Sequence, residues 1–123
     1  MAQVDPVVHL TTADAWASAV AVGELRADSL DTEGFIHCSS VEQVVGVANR
    51  FYAGQVGLVL LVIDPDTLTA PLRWEHPAHP DGSPAQPGEP LFPHLYGPLN
   101  CDAVIAVVDF PSDDEGHFTL PSW

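Results

Sequence analysis

The chain has 123 residues, of which 46% are hydrophobic, and this size suits one globular domain with a single core. Its 17 acidic residues stand against three arginines and no lysine, a net charge of −14 that excludes nonspecific binding to nucleic acid backbones. There is no apolar run long enough to span a bilayer and no basic-then-apolar leader, so we expect no membrane partner and a cytoplasmic location.

The first part of the chain predicts a strand followed by a helix. Residues 6–11 indicate a short strand. Residues 13–22 follow with apolar side chains at helical spacing, and Thr12 and Gly23 are a candidate cap and stop. Residues 24–33 show no regular pattern, so we expect irregular structure there.

A second strand-to-helix pattern occupies residues 34–52. The segment GFIHCSS predicts a strand over 34–38. Ser40 and Gln43 have the hydroxyl-x-x-Gln spacing of a helix capping box. An apolar stripe with the period of an amphipathic helix follows and ends before Gly54.

The second half of the chain is richer in strands. Residues 57–64 are an unbroken apolar run, which is typical of a central strand. A shorter strand is predicted at 72–75, another apolar strand at 102–110 and an edge strand at 118–120. Five prolines between 76 and 91 exclude a helix or a paired strand, which leaves a surface loop that is either a functional flap or a tolerated insertion.

Together these elements predict an α+β fold. Residues 1–123 would form a single domain in which two main helices pack on a split, mostly antiparallel β-sheet. The sheet would have about five or six strands.

Two strands each present a histidine followed two residues later by a hydroxyl. Side chains two residues apart share a face of a strand, so His9 pairs with Thr11 and His37 pairs with Ser39. A buried imidazole must be hydrogen-bonded, and for one such histidine alone a structural role is the commoner case. Because the pattern occurs twice, each time where a helix begins, it favours the floor of a polar site.

The segment FPHLYGPLN is a second candidate region. Tyr96 follows His94 by two residues, and prolines on either side restrict the backbone. We expect these two side chains to close the site, although Tyr96 packing at the start of a strand is the alternative. Glu75, next to Trp74, is either a carboxylate beneath an aromatic wall or an exposed residue at a strand end. Any anionic ligand would rely on the three arginines, on histidines or on helix N-termini.

The segments GFIHCSS, LLVID, RWE and FPHLYGPLN together resemble a bacterial family, domain of unknown function 952, from His9 to about Phe118. That family resembles the ADP-ribosyltransferase-like superfamily, whose members hold NAD in a cleft of a split β-sheet. The resemblance implies an ADP-ribosyltransferase-like fold with NAD as the candidate cofactor and substrate.

The resemblance also implies roles for particular residues. His9, with Thr11 beside it, matches the first-strand position that binds the adenosine ribose, and His37 with Ser39 matches the position beside the nicotinamide. The third position is usually a glutamate that stabilises positive charge on the sugar as nicotinamide leaves. No residue matches it cleanly, and Glu75 is the nearest carboxylate.

The leading hypothesis is therefore an NAD-binding transferase or glycohydrolase with two sets of site residues. The cofactor-binding set is His9, Thr11, Ser39 and Tyr96, and the catalytic set is His37, His94 and Glu75. One alternative is a catalytically inactive module that binds a nucleotide or a small metabolite. Another is a metal site formed by the three histidines, which would suit zinc. The acceptor and the oligomeric state stay open.

Overall fold

The computed structural model describes residues 6–76 and 91–119, which contain three α-helices and nine strands. The elements of the first half are β1 (Val7–Thr12), α1 (Ala13–Val22), β2 (Glu24–Leu25), α2 (Asp28–Thr32), β3 (Ile36–His37), β4 (Ser39–Ser40) and α3 (Val44–Phe51). Those of the second half are β5 (Leu58–Ile63), β6 (Leu72–Glu75), β7 (Phe92–Leu95), β8 (Leu99–Asn100) and β9 (Val104–Asp109).

The strands form three antiparallel sheets. Their orders are β4-β1-β5-β9, β3-β7-β6 and β2-β8. Strand β5 is buried along its whole length between β1 and β9, as the apolar run predicts. The single-domain α+β fold with antiparallel pairing is confirmed. The predicted number of strands is too low, because several two-residue strands carry too little pattern to be recognised in the sequence.

Helix α1 has the ends that the sequence predicts. The hydroxyl oxygen of Thr12 accepts a hydrogen bond from the Ala15 amide at 3.0 Å. At the other end Gly23 has a φ of 99°, a left-handed conformation that glycine adopts without steric cost. Its amide donates to the Ala19 carbonyl, which closes the last turn.

The structure corrects two helix predictions. Residues 28–32, expected to be irregular, form the short helix α2. Helix α3 begins at Val44 rather than directly after Ser40, the predicted cap. The predicted reciprocal bonds do form, from Ser40 N to Gln43 Oε1 at 2.9 Å and from Gln43 N to Ser40 Oγ at 3.2 Å, but they close a turn that precedes the helix.

Two hydrophobic clusters cover the two faces of the four-stranded sheet. The first contains Val7 and Leu61 together with Ile36 and Leu95 of the three-stranded sheet. The second contains Val8 and Leu60 of the opposite face, covered by the buried residues of α3. The four-stranded sheet is thus the middle layer, and the three-stranded sheet packs on it through Ile36 and Leu95.

The C-terminal segment corrects the strand predicted at 118–120. Phe118 lies in no strand; its ring is buried and stacks on Phe110 with centroids 5.1 Å apart. The Asn49 amide side chain donates to the Phe118 carbonyl at 3.1 Å and accepts from its amide at 2.7 Å, which replaces a strand partner. Leu120, and the predicted loop between residues 77 and 90, lie outside the described residues.

No helix within residues 6–76 and 91–119 combines the length and the apolar character that a bilayer crossing requires.

The Phe118 contact gives a prediction on stability. We expect Phe118→Ala to lower the free energy of unfolding by about 3–5 kcal/mol, because it removes a fully buried ring. Urea unfolding of this variant beside Thr119→Ala, whose side chain is exposed, measures the difference. Equal midpoints for the two variants would show that the C-terminal segment does not contribute to the core.

Candidate functional site

Strand β7 is the middle strand of the three-stranded sheet, and its residues alternate between two faces. Leu95 is buried in the first hydrophobic cluster, beside Ile36 of β3. His94 points to the opposite face, where it is in register with His37 on β3 and with Arg73 on β6. The outer face of this sheet therefore collects the polar residues of three separate segments.

Six side chains on this face contact one another. Stacked rings, hydrogen bonds and a cation–π contact join them. We call this group the His–Glu cluster; its members are Phe35, His37, Arg73, Glu75, His94 and Tyr96. The structure thus brings together four of the seven predicted site residues.

Glu75 is the hub of the cluster. Its Oε1 atom accepts a hydrogen bond from His94 Nδ1 at 3.0 Å and another from the Tyr96 hydroxyl. These two donors, Tyr96 first, lower the pKa of Glu75, since both stabilise the charged carboxylate. The same contact raises the pKa of the Tyr96 phenol. Glu75 is therefore an anion at neutral pH.

Phe35 forms the aromatic wall of the cluster. Its ring stacks on the His94 imidazole, with centroids 4.1 Å apart and planes 17° apart. It meets the His37 ring edge-on at 4.9 Å and the Tyr96 ring at 5.4 Å. The stack leaves the His94 side chain only 4% exposed, so this imidazole is buried next to a charged carboxylate.

His37 is the accessible imidazole of the cluster. Its side chain is 51% exposed, and its Nε2 atom lies 2.8 Å from Glu33 Oε2. A carboxylate only accepts hydrogen bonds, so Nε2 carries the proton. The His37 and His94 rings are nearly perpendicular, with centroids 5.7 Å apart. A ligand on the outer face would meet His37, while His94 supports Glu75 from behind.

His9 lies behind the cluster rather than in it. It is 7% exposed on β1, and its Nδ1 donates a 2.6 Å hydrogen bond to the His37 carbonyl oxygen. Burial lowers the pKa of His9, and this hydrogen bond offsets part of the effect. His9 therefore ties the four-stranded sheet to the strand that carries His37. Its observed contact is with the backbone of His37.

Thr11 and Ser39 are not part of the cluster. Thr11 is in register with Val59, two residues further along β1 than His9. Ser39 is buried in register with Val8 of the four-stranded sheet. The sequence places Ser39 on the face of His37, but the chain changes sheets between these residues. The strand period therefore does not continue across the change.

The structure also corrects the role expected for FPHLYGPLN. Residues 92–95 form the central strand β7, so His94 and Tyr96 lie on the floor of the candidate site rather than closing over it. The aromatic wall beside Glu75 comes from Phe35 and Tyr96. Trp74 is instead in register with Pro93, on the other face of the sheet.

Three neighbours of the predicted residues were missed by the sequence reasoning. Arg73 precedes Glu75 by two residues on β6, and its guanidinium lies 5.6 Å from the centre of the Tyr96 ring. Phe35 precedes His37 by two residues, and Glu33 precedes it by four. The strand period places Arg73 and Phe35 on the correct face. Nothing in the sequence indicates that the two strands pair with the same partner.

The three-histidine metal site, the second alternative, is not formed among the described residues. Among residues 6–76 and 91–119, no group of three His, Cys, Asp or Glu side chains is arranged to hold a metal ion. His9 faces the interior through its bond to the His37 carbonyl, whereas the His37 ring faces outward. The three imidazoles do not converge on one point.

Fold and site together define a small antiparallel α+β domain with a histidine–carboxylate–tyrosine cluster on the outer face of its three-stranded sheet. Residues 10–107 match the family described as "Protein of unknown function (DUF952)". The match spans most of the chain, so the protein belongs to this family, as its motifs predict. Among curated proteins, none matches the chain.

The fold is similar to that of protein CC0527 from Caulobacter crescentus. Its crystal structure is 31% identical, with a TM-score of 0.78 over 94% of each chain. A crystal structure of a double mutant of the same protein gives 30% identity and a TM-score of 0.78, also over 94% of each chain. The solution NMR structure gives 30% identity and a TM-score of 0.71 over 90% of this chain and 89% of that one.

Because Glu75 accepts a hydrogen bond from Tyr96, removal of the Tyr96 hydroxyl should change the pKa of Glu75. Tyr96→Phe removes the largest of the influences that lower the pKa of Glu75, so we expect that pKa to rise toward its ordinary value of 4.5. Carboxyl carbon NMR titration of Glu75 measures the change. Asp113, which is held by backbone amides of a distant turn, serves as the control. An unchanged Glu75 titration would mean that the phenol does not donate to it.

The buried His9 predicts a pH dependence of stability. Its pKa is lower in the folded chain than the ordinary 6.5, so the unfolded chain binds more protons. The contribution of His9 to the free energy of unfolding has its full value above about pH 6.5. It decreases as the pH falls below that value, by at most about 1.4 kcal/mol per pH unit. His9→Asn keeps an N–H donor and does not titrate, so its unfolding free energy should fall less steeply. Urea unfolding at several pH values tests this, and parallel curves would contradict it.

Proposed function

We propose that this protein binds NAD on the His–Glu cluster and breaks the bond between nicotinamide and ribose, passing ADP-ribose to water or to another acceptor. The fold would then be a member of the ADP-ribosyltransferase-like superfamily. The observation that carries the proposal is the ionised Glu75 carboxylate, held by Tyr96 and His94 on an accessible face of the sheet.

The charge of Glu75 suits this chemistry. As the glycosidic bond breaks, its electron pair goes to the pyridinium nitrogen, and positive charge develops on the ribose. A fixed carboxylate beside that sugar stabilises the transition state more than the ground state. Because the pKa of Glu75 is lowered, its carboxylate is already ionised before the bond breaks. An acceptor oxygen then bonds to the sugar carbon and loses its proton to solvent.

The rings around Glu75 suit a planar ligand. Phe35 and Tyr96 present aromatic surface, and half of the His37 side chain is exposed beside them. A pyridine ring stacked here would gain from aromatic contact, and the imidazole would be within reach of its amide group. In this scheme His37 orients the nicotinamide, and His94 positions Glu75.

Arg73 adds a positive charge where an anionic ligand needs one. Of the three arginines, Arg26 forms an ion pair with Glu24 at 3.1 Å, and Arg50 lies on α3. Arg73 lies over the Tyr96 ring beside the cluster. In a chain with a net charge of −14, this local cation favours binding of a phosphate group.

A second candidate is a nucleotide-binding module without turnover. The observation that favours it is that one oxygen of Glu75 already accepts two hydrogen bonds, which reduces the negative charge it can offer to a developing cation. Such a module would bind NAD and release no nicotinamide, and Glu75→Gln would leave binding unchanged.

The test combines binding and product release. We expect NAD at millimolar concentration to shift the NMR signals of Phe35 and His37, with slow release of nicotinamide measured by chromatography. Glu75→Gln should lower the release rate by about 100-fold or more, because it removes the stabilising charge. Glu115→Gln, at an 82% exposed side chain in the acidic turn, is the matched control. Absence of any NAD-induced shift would refute the proposal.

A further inference from the structure

An open groove lies between helix α3 and the start of β7. It has a volume of about 410 Å³, and its lining includes Gln43, Gly46, Val47, Arg50, Phe51 and Phe92. We call it the α3 groove. None of these residues belongs to the His–Glu cluster.

One residue that lines the groove is a glycine inside a helix. Gly46 lies within α3, where glycine is a poor helix former. Apart from its two chain neighbours and the nearby backbone of α3 itself, no atom of the described residues lies within 4 Å of a Cβ added at this position. The missing side chain is therefore not required by packing within the described part of the chain. Its effect is to keep the groove open.

The α3 groove adjoins the His–Glu cluster at Phe92. Phe92, which lines the groove, precedes His94 by two residues on β7 and is in register with Glu75. Residues two apart on a strand are separated by roughly 6–7 Å and share a face. The Gln43 side chain also donates to the Leu91 carbonyl at 2.7 Å, which fixes α3 against the start of β7. One elongated ligand can therefore contact both places.

The lining of the groove indicates what it would bind. Phe51 is 65% exposed, and the Arg50 guanidinium lies 5.3 Å from the centre of its ring. Phe92 supplies a second aromatic surface. Exposed aromatic rings with an arginine beside them are suited to stacking on a base and to contacting a phosphate. Glu42, at the N-terminal side of the groove, makes the Arg50 side the favourable place for an anion.

We infer that the α3 groove binds the part of the dinucleotide that does not react, with the base against Phe51 and Phe92 and its phosphate beside Arg50. This inference rests on the proposed function and extends it. The cluster alone would hold the nicotinamide half, and the groove would supply affinity for the adenylate half. A dinucleotide would then occupy both places, whereas a mononucleotide would occupy only one of them.

The test uses adenosine monophosphate, because this probe does not depend on the cluster. We expect it to shift the amide signals of α3 and of Phe92 in the wild-type protein. Gly46→Leu fills the groove and should weaken this binding by about tenfold or more, without lowering the unfolding midpoint. Ala17→Leu, which introduces the same side chain at an exposed position of α1, is the control and should bind normally. Phe51→Ala, at an exposed ring, gives a second variant that does not depend on filling the groove.

The outcomes separate this inference from the proposed function. If adenosine monophosphate shifts no groove signal at millimolar concentration, or binds Gly46→Leu as tightly as the wild type, the inference is wrong. If NAD shifts the cluster but not the groove, the inference is also wrong while the proposed function stands. If adenosine monophosphate occupies the groove and NAD leaves the cluster unchanged, the groove is a nucleotide site and the proposed function fails.

Discussion

The candidate site depends on the register of one strand. Strand β7 pairs with β3 on one side and β6 on the other, which puts His37, His94 and Arg73 in one row. The neighbouring row contains Leu95 and Ile36, both fully buried in the first hydrophobic cluster. A shift of one residue would expose Leu95 and bury His94 against apolar side chains, at a large cost in free energy. The burial of the inner row thus fixes the geometry of the outer one.

The face of the sheet that contains this row also contains both charged side chains of the His–Glu cluster, Glu75 and Arg73. Glu75 is stabilised as an anion by a phenol and an imidazole, and Arg73 lies nearby. The backbone of His37 is held from behind by the buried His9, which links the row to the four-stranded sheet. Each of these contacts joins segments far apart in the chain, so the site forms only after the strands that carry its residues have paired. The proposed NAD chemistry uses that rigidity to keep a carboxylate in place.

Part of this structure follows from local patterns in the sequence. Three predictions of this kind are confirmed: the cap at Thr12, the end of the helix at Gly23 and the buried strand β5. Each depends only on residues close together in the sequence. These local features require no knowledge of which strands pair. The grouping of His37, His94 and Glu75 as site residues follows instead from the family resemblance, and strand pairing places the three side chains on one face of the sheet.

The remaining features depend on long-range pairing. Strand β7 contains Pro93, which has no amide hydrogen to donate, so a central strand is disfavoured there on local grounds. The carbonyl of Pro93 nevertheless accepts from the Cys38 amide at 3.1 Å, and the pairing continues around it. The separation of Ser39 from His37 has a similar origin, since the chain changes sheets at Cys38. Side chains two residues apart share a face only while the chain stays in one strand of one sheet.

The most direct test of this account is the protonation state of the buried His94 ring. An ionised Glu75 can only accept, so the account requires a proton on His94 Nδ1. Long-range proton–nitrogen NMR of the imidazole at neutral pH distinguishes the two ring nitrogens. We expect Nδ1 to be protonated in the wild-type protein. An unprotonated Nδ1 would contradict the carboxylate hub and the catalytic role proposed for it.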